Sequence, residues 1–240
     1  MPSKQLPRHP DLPSVALDLA TRLGARALPG PSPDGSIVTL TQTGRMKRAL
    51  GKDAWMSFTA SQTIATAASN FAWTAKFGPL GIISVCDALK DGIGQLDVTA
   101  LGLIPVARTE RTAALARGEA MRYLAELPWA PDAILENSEL RWRENSSGGL
   151  IVGVGEGPSA VEVSFGLDSD GRIATAFAPD RPRSAVDPIL PTPWRGRFSD
   201  YRFHLGRWMP FAGEVAWEID GRAEVYWQGR LESWSTVSAG

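Results

Sequence analysis

The sequence predicts a mostly β (α+β) protein, with one antiparallel sheet or barrel of about ten to eleven strands and a single central helix. Three observations predict this fold. Short segments in which apolar and polar residues alternate recur along most of the chain after Ser36. Turn signals such as Asp220-Gly221 separate several of them, and only residues 112–127 show strong helical spacing near the middle. A sheet of this size must curl, close or be covered to protect its edges and its inner face.

The first half of the chain contains a short helical pattern and the first group of predicted strands. Residues 1–35 form a Pro-rich N-terminal segment, within which residues 15–28 have helical spacing. Alternation then predicts strands at residues 38–46, 55–62, 71–77, 82–89 and 95–106, with a turn over 90–94.

The second half follows the central helix and contains the remaining predicted strands. They are residues 140–144, 150–155, 161–167, 172–178, 197–205, 214–219 and 223–234. The Pro-rich residues 179–193 are predicted to be a loop, and they are the best candidate for a mobile flap. Since no internal repeat or low-complexity region interrupts the pattern, we expect one domain over residues 1–240, with the sheet and the helix 112–127 inside 36–240.

Composition excludes several classes of partner. The 25 Lys and Arg residues balance 26 Asp and Glu residues, so no basic field exists to hold nucleic acid. No apolar run is long enough to span a membrane, and the first residues lack the apolar core of a signal peptide. The single cysteine, Cys86, fits a reducing compartment. We therefore expect a cytoplasmic protein without a membrane span.

The motifs that bind metals or cofactors are missing from the sequence. Only two histidines occur, and neither they nor Cys86 stand at metal-ligand spacing from another ligand. The Gly153-x-Gly155-x-Gly157 pattern precedes a proline and a strand pattern, whereas a nucleotide site needs a helix there. No nucleophile elbow is present, and Cys86 lies in an apolar strand, where cysteine usually acts as a small hydrophobe. We expect neither metal nor cofactor.

The central helix carries the strongest candidate site. Glu119, Arg122, Tyr123 and Glu126 lie at i, i+3, i+4 and i+7, so their side chains share one side of the helix. Either this face is a solvated ladder of ion pairs, or it is the polar wall of a site. The four residues are candidate catalytic groups in the second case, because carboxylates, a phenol and a guanidinium suffice for proton transfer.

Two further acid–base candidates lie on strands. Asp87 follows Cys86 and so points to the opposite face, either inward or beside the turn at residues 90–94. His204 lies on a predicted strand and is the one histidine in a core element, which makes it the candidate that titrates near neutrality.

Nine tryptophans stand out against three tyrosines. Trp55, Trp73 and Trp217 lie in strand patterns, where they either pack the core or line an aromatic pocket. Together with Gln62 and Tyr201, they are the candidate substrate-binding residues.

Four motifs resemble those of an uncharacterised bacterial domain-of-unknown-function family. They are Trp55-x-x-Phe58-x-Ala60-x-Gln62, Phe71-x-Trp73-x-Ala75, Gly118-Glu119-x-x-Arg122-Tyr123-Leu124-Ala125-Glu126-x-x-Trp129-x-Pro131 and Pro210-x-x-x-Glu214-Val215-Ala216-Trp217. The resemblance runs from about residue 38 to residue 234. It implies an architecture similar to the lipoprotein-carrier half-barrels, in which a strongly curved antiparallel sheet wraps around helices and encloses an apolar cavity. It implies no reaction.

Two functional hypotheses follow from the sequence. The first is a cofactor-independent acid–base enzyme, such as a lyase or an isomerase, that acts on an apolar or aromatic small molecule in a Trp-lined cavity. The second is a non-catalytic carrier or sensor of a lipid or another apolar ligand. A catalyst needs two polar groups that converge inside the cavity, whereas a carrier needs apolar walls. The expected cytoplasmic setting favours the enzyme.

Overall fold

The computed structural model describes residues 12–27, 35–100, 104–108, 110–146, 148–183 and 189–238. These residues contain three α-helices, namely α1 (Ser14–Leu23), α2 (Ala113–Ala125) and α3 (Ala133–Glu136). They also contain thirteen strands, namely β1 (Ser36–Lys47), β2 (Trp55–Ala65), β3 (Phe71–Phe77), β4 (Ile83–Lys90), β5 (Ile93–Ala100), β6 (Ile104–Arg108), β7 (Arg141–Glu144), β8 (Leu150–Val154), β9 (Val161–Leu167), β10 (Ile173–Arg183), β11 (Leu190–His204), β12 (Arg207–Ile219) and β13 (Arg222–Ser238).

The described strands form one antiparallel sheet in the order β6-β5-β4-β3-β2-β1-β13-β12-β11-β10-β9-β8-β7. Strands β1–β6 and β7–β13 make two halves, which meet where β1 pairs with β13 over most of their length. The prediction of a mostly β protein with one antiparallel sheet is thus confirmed, with thirteen described strands where about ten to eleven were expected.

Alternation in the strands gives the sheet one buried face. In β2, Phe58, Gln62 and Ile64 are buried, while the serines and threonines between them are exposed. The same period-2 pattern buries Phe71 and Trp73 on β3. Hairpin turns follow the predicted signals, because Asp and Gly at positions 91–92 and 220–221 adopt the positive φ angles that tight hairpins require.

Helix α2 begins and ends as the sequence predicts. Thr112 caps it, since the Thr112 Oγ1 atom accepts a hydrogen bond from the Leu115 N–H at 3.1 Å. The helix ends at Ala125, and Pro128 lies in the 3-10 turn that follows. It contacts β4 and β5 in one half of the sheet and β8, β9 and β10 in the other. Helix α1 is shorter than predicted and stops at Gly24, whose φ of 70° reverses the chain.

The predicted loop over residues 179–193 is wrong for most of its described residues. Strand β10 continues to Arg183, and β11 already begins at Leu190. Prolines suggest a loop because they lack an N–H group, but here Pro182 stands opposite Pro191, so both fall at one register position. Residues 184–188 of the proposed flap lie outside the described residues. The predicted strand 95–106 corresponds to two strands, β5 and β6.

No helix among the described residues is long and apolar enough to cross a lipid bilayer.

Candidate ligand-binding site

A cavity of about 570 Å³ lies between α2 and strands from both halves of the sheet. Its aromatic lining residues are Trp73, Trp129, Trp194, Phe198, Trp217, Tyr226 and Trp227. Three of the indole N–H groups are hydrogen-bonded within the protein. Trp73 donates to Gln42 Oε1 at 3.1 Å, Trp129 to the Pro210 carbonyl at 2.9 Å and Trp194 to the Tyr226 hydroxyl at 3.0 Å. Because these polar groups are already engaged, the rings present mainly apolar surface to the cavity.

Five ionisable side chains line one part of this cavity. We call them the polar cluster, and they are Asp87, Glu119, Arg122, Glu126 and Arg181. Helix α2 supplies three of them because they lie three and four residues apart, while β4 supplies Asp87 and β10 supplies Arg181. All five are largely buried, with side-chain exposures of 7–15%. The predicted helix face is therefore the polar wall of a cavity and not a solvated ladder.

Arg122 is the centre of the polar cluster. Its guanidinium donates to Asp87 and, through Nε, to Glu126 Oε1 at 2.9 Å. The same guanidinium lies over the rings of Phe71 and Trp73, 5.0 and 5.1 Å from their centroids. Burial alone would lower the pKa of Arg122. The neighbouring carboxylates raise it by more than burial lowers it, so the net shift is upward and Arg122 stays cationic.

Arg181 forms the second positive position. Its Nη2 lies 3.7 Å from Glu119 Oε1, and its Nε donates to the Gly118 carbonyl at 3.1 Å. Its guanidinium covers the Trp194 ring at 4.8 Å. Both arginines of the polar cluster are thus held by acceptors of the protein and by aromatic faces.

Glu119 is an almost fully buried acid of the polar cluster, and its pKa is shifted. Burial and the nearby Asp87 carboxylate raise the pKa of Glu119 well above its usual value, although Arg181 and Arg122 oppose the shift. Glu119 Oε2 and Asp87 Oδ1 find no N–H or hydroxyl donor within the described part of the chain. The two neighbouring carboxyl groups would repel each other if both were ionised, and a proton on one of them relieves this repulsion. We infer that Glu119 holds it.

The raised pKa predicts how stability depends on pH. Below the ordinary Glu pKa of about 4.3, Glu119 is protonated in both the folded and the unfolded chain, so its stabilising contribution is fully present. That contribution is lost as pH rises through the folded-state pKa, because the unfolded chain releases a proton that the folded protein retains. Glu119→Gln removes this titration, so the free energy of unfolding of the variant should not fall in this pH window as that of the wild type does. We expect the difference between the two proteins to grow by up to about 1.4 kcal/mol per pH unit there.

Urea unfolding of both proteins from about pH 4 to pH 8 measures this difference, in which contributions from all other groups cancel. A difference that stays constant with pH would show that Glu119 titrates normally.

Gln62 contacts the polar cluster without lining the cavity. It is almost completely buried and donates through Nε2 to Glu126 Oε2, while its own Oε1 has no partner among the described residues. The residues described as lining the cavity do not include Gln62. Its role is to position Glu126, whereas the sequence suggested direct contact with a substrate.

The structure places four other predicted site residues away from the cavity. The Tyr123 hydroxyl donates to the Ala65 carbonyl at 3.1 Å and accepts from Asn137 Nδ2 at 3.0 Å, and burial raises its pKa. Trp55 lies under Arg45 at 4.6 Å.

Tyr201 donates to the Ile173 carbonyl at 2.8 Å, and burial raises its pKa. His204 lies edge-on to Phe211 and Trp234, with ring centroids 6.1 and 6.5 Å away. Sequence spacing located these residues on elements correctly but could not show which of them converge.

Sequence reasoning missed Arg181 and Trp194, which both contribute to the cavity. Arg181 falls inside the Pro-rich segment that was interpreted as a loop, and Trp194 follows it directly. No local signal singles out either residue, because charged side chains are common in surface loops and Trp194 comes after the last proline of the segment.

Among the described residues, no group of three or more His, Cys, Asp or Glu side chains is placed to hold a metal ion.

Comparison with known proteins gives a family and two similar structures. A LolA superfamily protein from Nitrosomonas europaea has 12% sequence identity and a TM-score of 0.46, with 92% of each chain covered. A DUF1329 family protein from Desulfovibrio piger ATCC 29098 has 13% identity and a TM-score of 0.48, with 93% of this chain and 92% of that chain covered. No curated protein matches the sequence. Residues 25–229 match DUF6544, a family of unknown function, which confirms the resemblance to an uncharacterised family. The chain therefore belongs to the DUF6544 family.

Proposed function

We propose that this protein binds an apolar or aromatic small molecule in the cavity against α2, as a non-catalytic carrier or sensor. The observation that carries the proposal is a cavity of about 570 Å³ whose lining includes seven aromatic side chains. This volume falls within the range of about 300–1,000 Å³ that is typical of small-molecule sites. Apolar surface of this kind gains free energy when a ligand covers it, at about 25 cal/mol for each Å² removed from water.

The charges in the cavity support binding more than catalysis. Arg122 is neutralised by Asp87 and Glu126, and Arg181 donates to a backbone carbonyl beside Glu119. With a proton on Glu119, two acids and two arginines carry charge, so the polar cluster has no net charge. At the polar cluster a ligand therefore meets no net charge beside the aromatic side chains, which suits a neutral apolar body. The other charged residues of the lining are Lys47, Arg48, Glu110, Arg183 and Glu214.

We also propose that the sheet is strongly curved around α2, as a half-barrel is. Strands β5 and β10 stand eight positions apart in the strand order, and α2 contacts both. In a flat sheet eight spacings of about 4.8 Å would separate them by about 38 Å. A helix with its side chains is only about 10–12 Å wide, so flat strands could not both reach it. An experimental structure in which α2 touched only one half of the sheet would contradict this curvature.

Filling the cavity should abolish binding. Val215 lines the cavity and is half-buried, so Val215→Trp places an indole ring in the space that a ligand would occupy. We expect the affinity for N-phenylnaphthylamine, a neutral fluorescent apolar probe, to fall roughly tenfold or more, equivalent to about 1.4 kcal/mol. Fluorescence titration measures this affinity.

The matched control is Val237→Trp, the same substitution near the end of β13, at a residue that is 58% exposed and does not line the cavity. It should bind the probe as the wild type does. If both variants bound the probe equally well, with unchanged thermal midpoints, the cavity would not be the binding site.

A second candidate function is a cofactor-independent acid–base enzyme, and one observation supports it. Glu119 and Asp87 both line the cavity, and the Asp87 carboxylate helps to raise the pKa of Glu119. We propose this pair as a general acid and base for an elimination, retro-aldol cleavage or isomerisation, since such reactions need only proton transfers. A positioned acid or base contributes about 10²- to 10⁴-fold in rate.

The enzymatic candidate predicts a product that depends on Glu119. Metabolite extracts incubated with the wild type or with Glu119→Gln would be compared by mass spectrometry. We expect conversion to fall about 10²-fold or more in the variant if Glu119 transfers the proton. Conversion that is equal in both proteins would eliminate the acid–base pair, and binding alone would remain.

A further inference from the structure

Two carboxyl oxygens in the cavity wall lack a donor from the protein. Glu119 Oε2 and Asp87 Oδ1 are buried, and no N–H or hydroxyl of the described residues reaches them. The Glu119 side chain is only 7% exposed, and both residues line the cavity. Buried carboxylate oxygens strongly favour a hydrogen-bond donor, and here the open cavity is the direction from which one can arrive.

The charged groups around these oxygens leave one positive charge to be supplied. Helix α2 contributes Glu119, Arg122 and Glu126, β4 contributes Asp87 and β10 contributes Arg181. Three acids face two arginines, so the polar cluster lacks one positive charge whenever all three acids are ionised. Without a ligand, a proton on Glu119 would supply it, in keeping with the raised pKa of this acid. A ligand cation at the same point would supply it equally well.

We propose that the ligand of this cavity is an apolar or aromatic amine whose ammonium group donates hydrogen bonds to Glu119 Oε2 and Asp87 Oδ1. The amine takes the place of the proton on Glu119, which is released to the solvent, and the apolar body of the ligand covers the aromatic side chains of the cavity. This inference rests on the proposed function, because it names the chemical class that the same cavity selects.

The surroundings favour an ammonium group over other polar heads. An anion at Glu119 Oε2 and Asp87 Oδ1 would meet three acids, and the two guanidiniums of the polar cluster already donate to acceptors of the protein. Arg183, whose buried Nε has no partner among the described residues, also lines the cavity but is not a member of this cluster. A hard metal cation prefers six or more oxygen ligands, of which only two are open here. An ammonium needs two or three acceptors, and tryptophan faces stabilise it further.

The experiment compares three probes with one ring system: naphthylethylamine, naphthylethanol and naphthylacetate. Isothermal titration calorimetry of the wild-type protein, in two buffers of different ionisation heat, gives the affinity and the number of protons released. We expect the amine to bind at least about tenfold more tightly than the alcohol. We expect about one proton to be released for each amine bound, and the amine affinity to rise about tenfold per pH unit while Glu119 retains its proton.

Variants of Glu119 and Asp87 then test whether these residues cause the preference for the amine over the alcohol. Glu119→Gln should lower the amine affinity at least about tenfold, so that this variant no longer prefers the amine to the alcohol, and Asp87→Asn should weaken the preference likewise. The control is Glu136→Gln, which removes an equally buried acid outside the cavity and should preserve the preference for the amine.

Alcohol or carboxylate binding as tight as amine binding would overturn the inference and leave the proposed function intact, as would amine binding without proton release. If none of the three probes binds, the proposed function fails as well. The proton release is measured on the wild type, so this part of the test holds even if a variant does not fold.

Discussion

Replacing Arg122 with methionine is expected to destabilise the folded protein by about 3–5 kcal/mol. Methionine keeps much of the length and apolar volume of the side chain but removes the charge. The loss leaves Asp87 and Glu126 as buried carboxylates without their main partner, because Arg122 donates to both. It also uncovers the faces of Phe71 and Trp73. Urea unfolding at neutral pH measures the change.

The control for this prediction is Arg117→Met on the same helix. Arg117 also pairs with an acid, Asp180, but the two side chains are 29% and 46% exposed, so its loss should cost less than about 1 kcal/mol. A triple variant that adds Asp87→Asn and Glu126→Gln to Arg122→Met should recover part of the stability, because the uncompensated charges are gone. Equal effects of the Arg122 and Arg117 substitutions would show that the polar cluster is solvated.

Replacing Arg207 with methionine should destabilise the folded protein by a similar amount, about 3–5 kcal/mol. Asp132 is 1% exposed and accepts from Arg207 Nε at 2.9 Å and from Nη2 at 2.5 Å. The backbone N–H of Arg26 donates to the same carboxylate at 2.8 Å. The pair thus fastens the segment after α1 and the start of α3 to β12. Each kcal/mol should lower the thermal midpoint by about 2–4 °C, which calorimetry detects.

Arg202→Met is the matched control for the second prediction. Arg202 also forms an Arg–Asp pair, with Asp200, but its side chain is 51% exposed. We expect a change below about 1 kcal/mol, since water screens and competes for an exposed pair. A midpoint shift in Arg202→Met as large as in Arg207→Met would mean that burial does not determine the cost.

Much of the fold could be predicted from the sequence because its signals are local. Alternation in residues 55–62 and 71–77 identified β2 and β3, and Asp220-Gly221 marked a hairpin. The spacing of Glu119, Arg122 and Glu126 correctly placed three members of the polar cluster on one side of α2. Each of these features depends on residues within one turn or one strand of each other.

The errors arose where the structure depends on register between distant segments. Prolines within residues 179–193 suggested a loop, yet Pro182 and Pro191 stand opposite each other where β10 and β11 form an antiparallel pair. The same error hid Arg181, whose guanidinium lies against Glu119 and Trp194. Nothing local to residue 181 indicates that it lies beside a helix some sixty residues earlier in the chain.

The sequence by itself determined the element types, the turn positions and the polar side of α2, because periodicity and turn chemistry act over a few residues. Only the tertiary structure decided that this polar side faces a cavity, that Asp87 joins it and that Tyr123 does not. The reason is physical. The helix position fixes where a side chain points relative to the helix, but burial and pKa depend on which strands pack against it. Those strands, β4 and β10, come from opposite halves of the sheet, and their approach to α2 is a property of the whole fold.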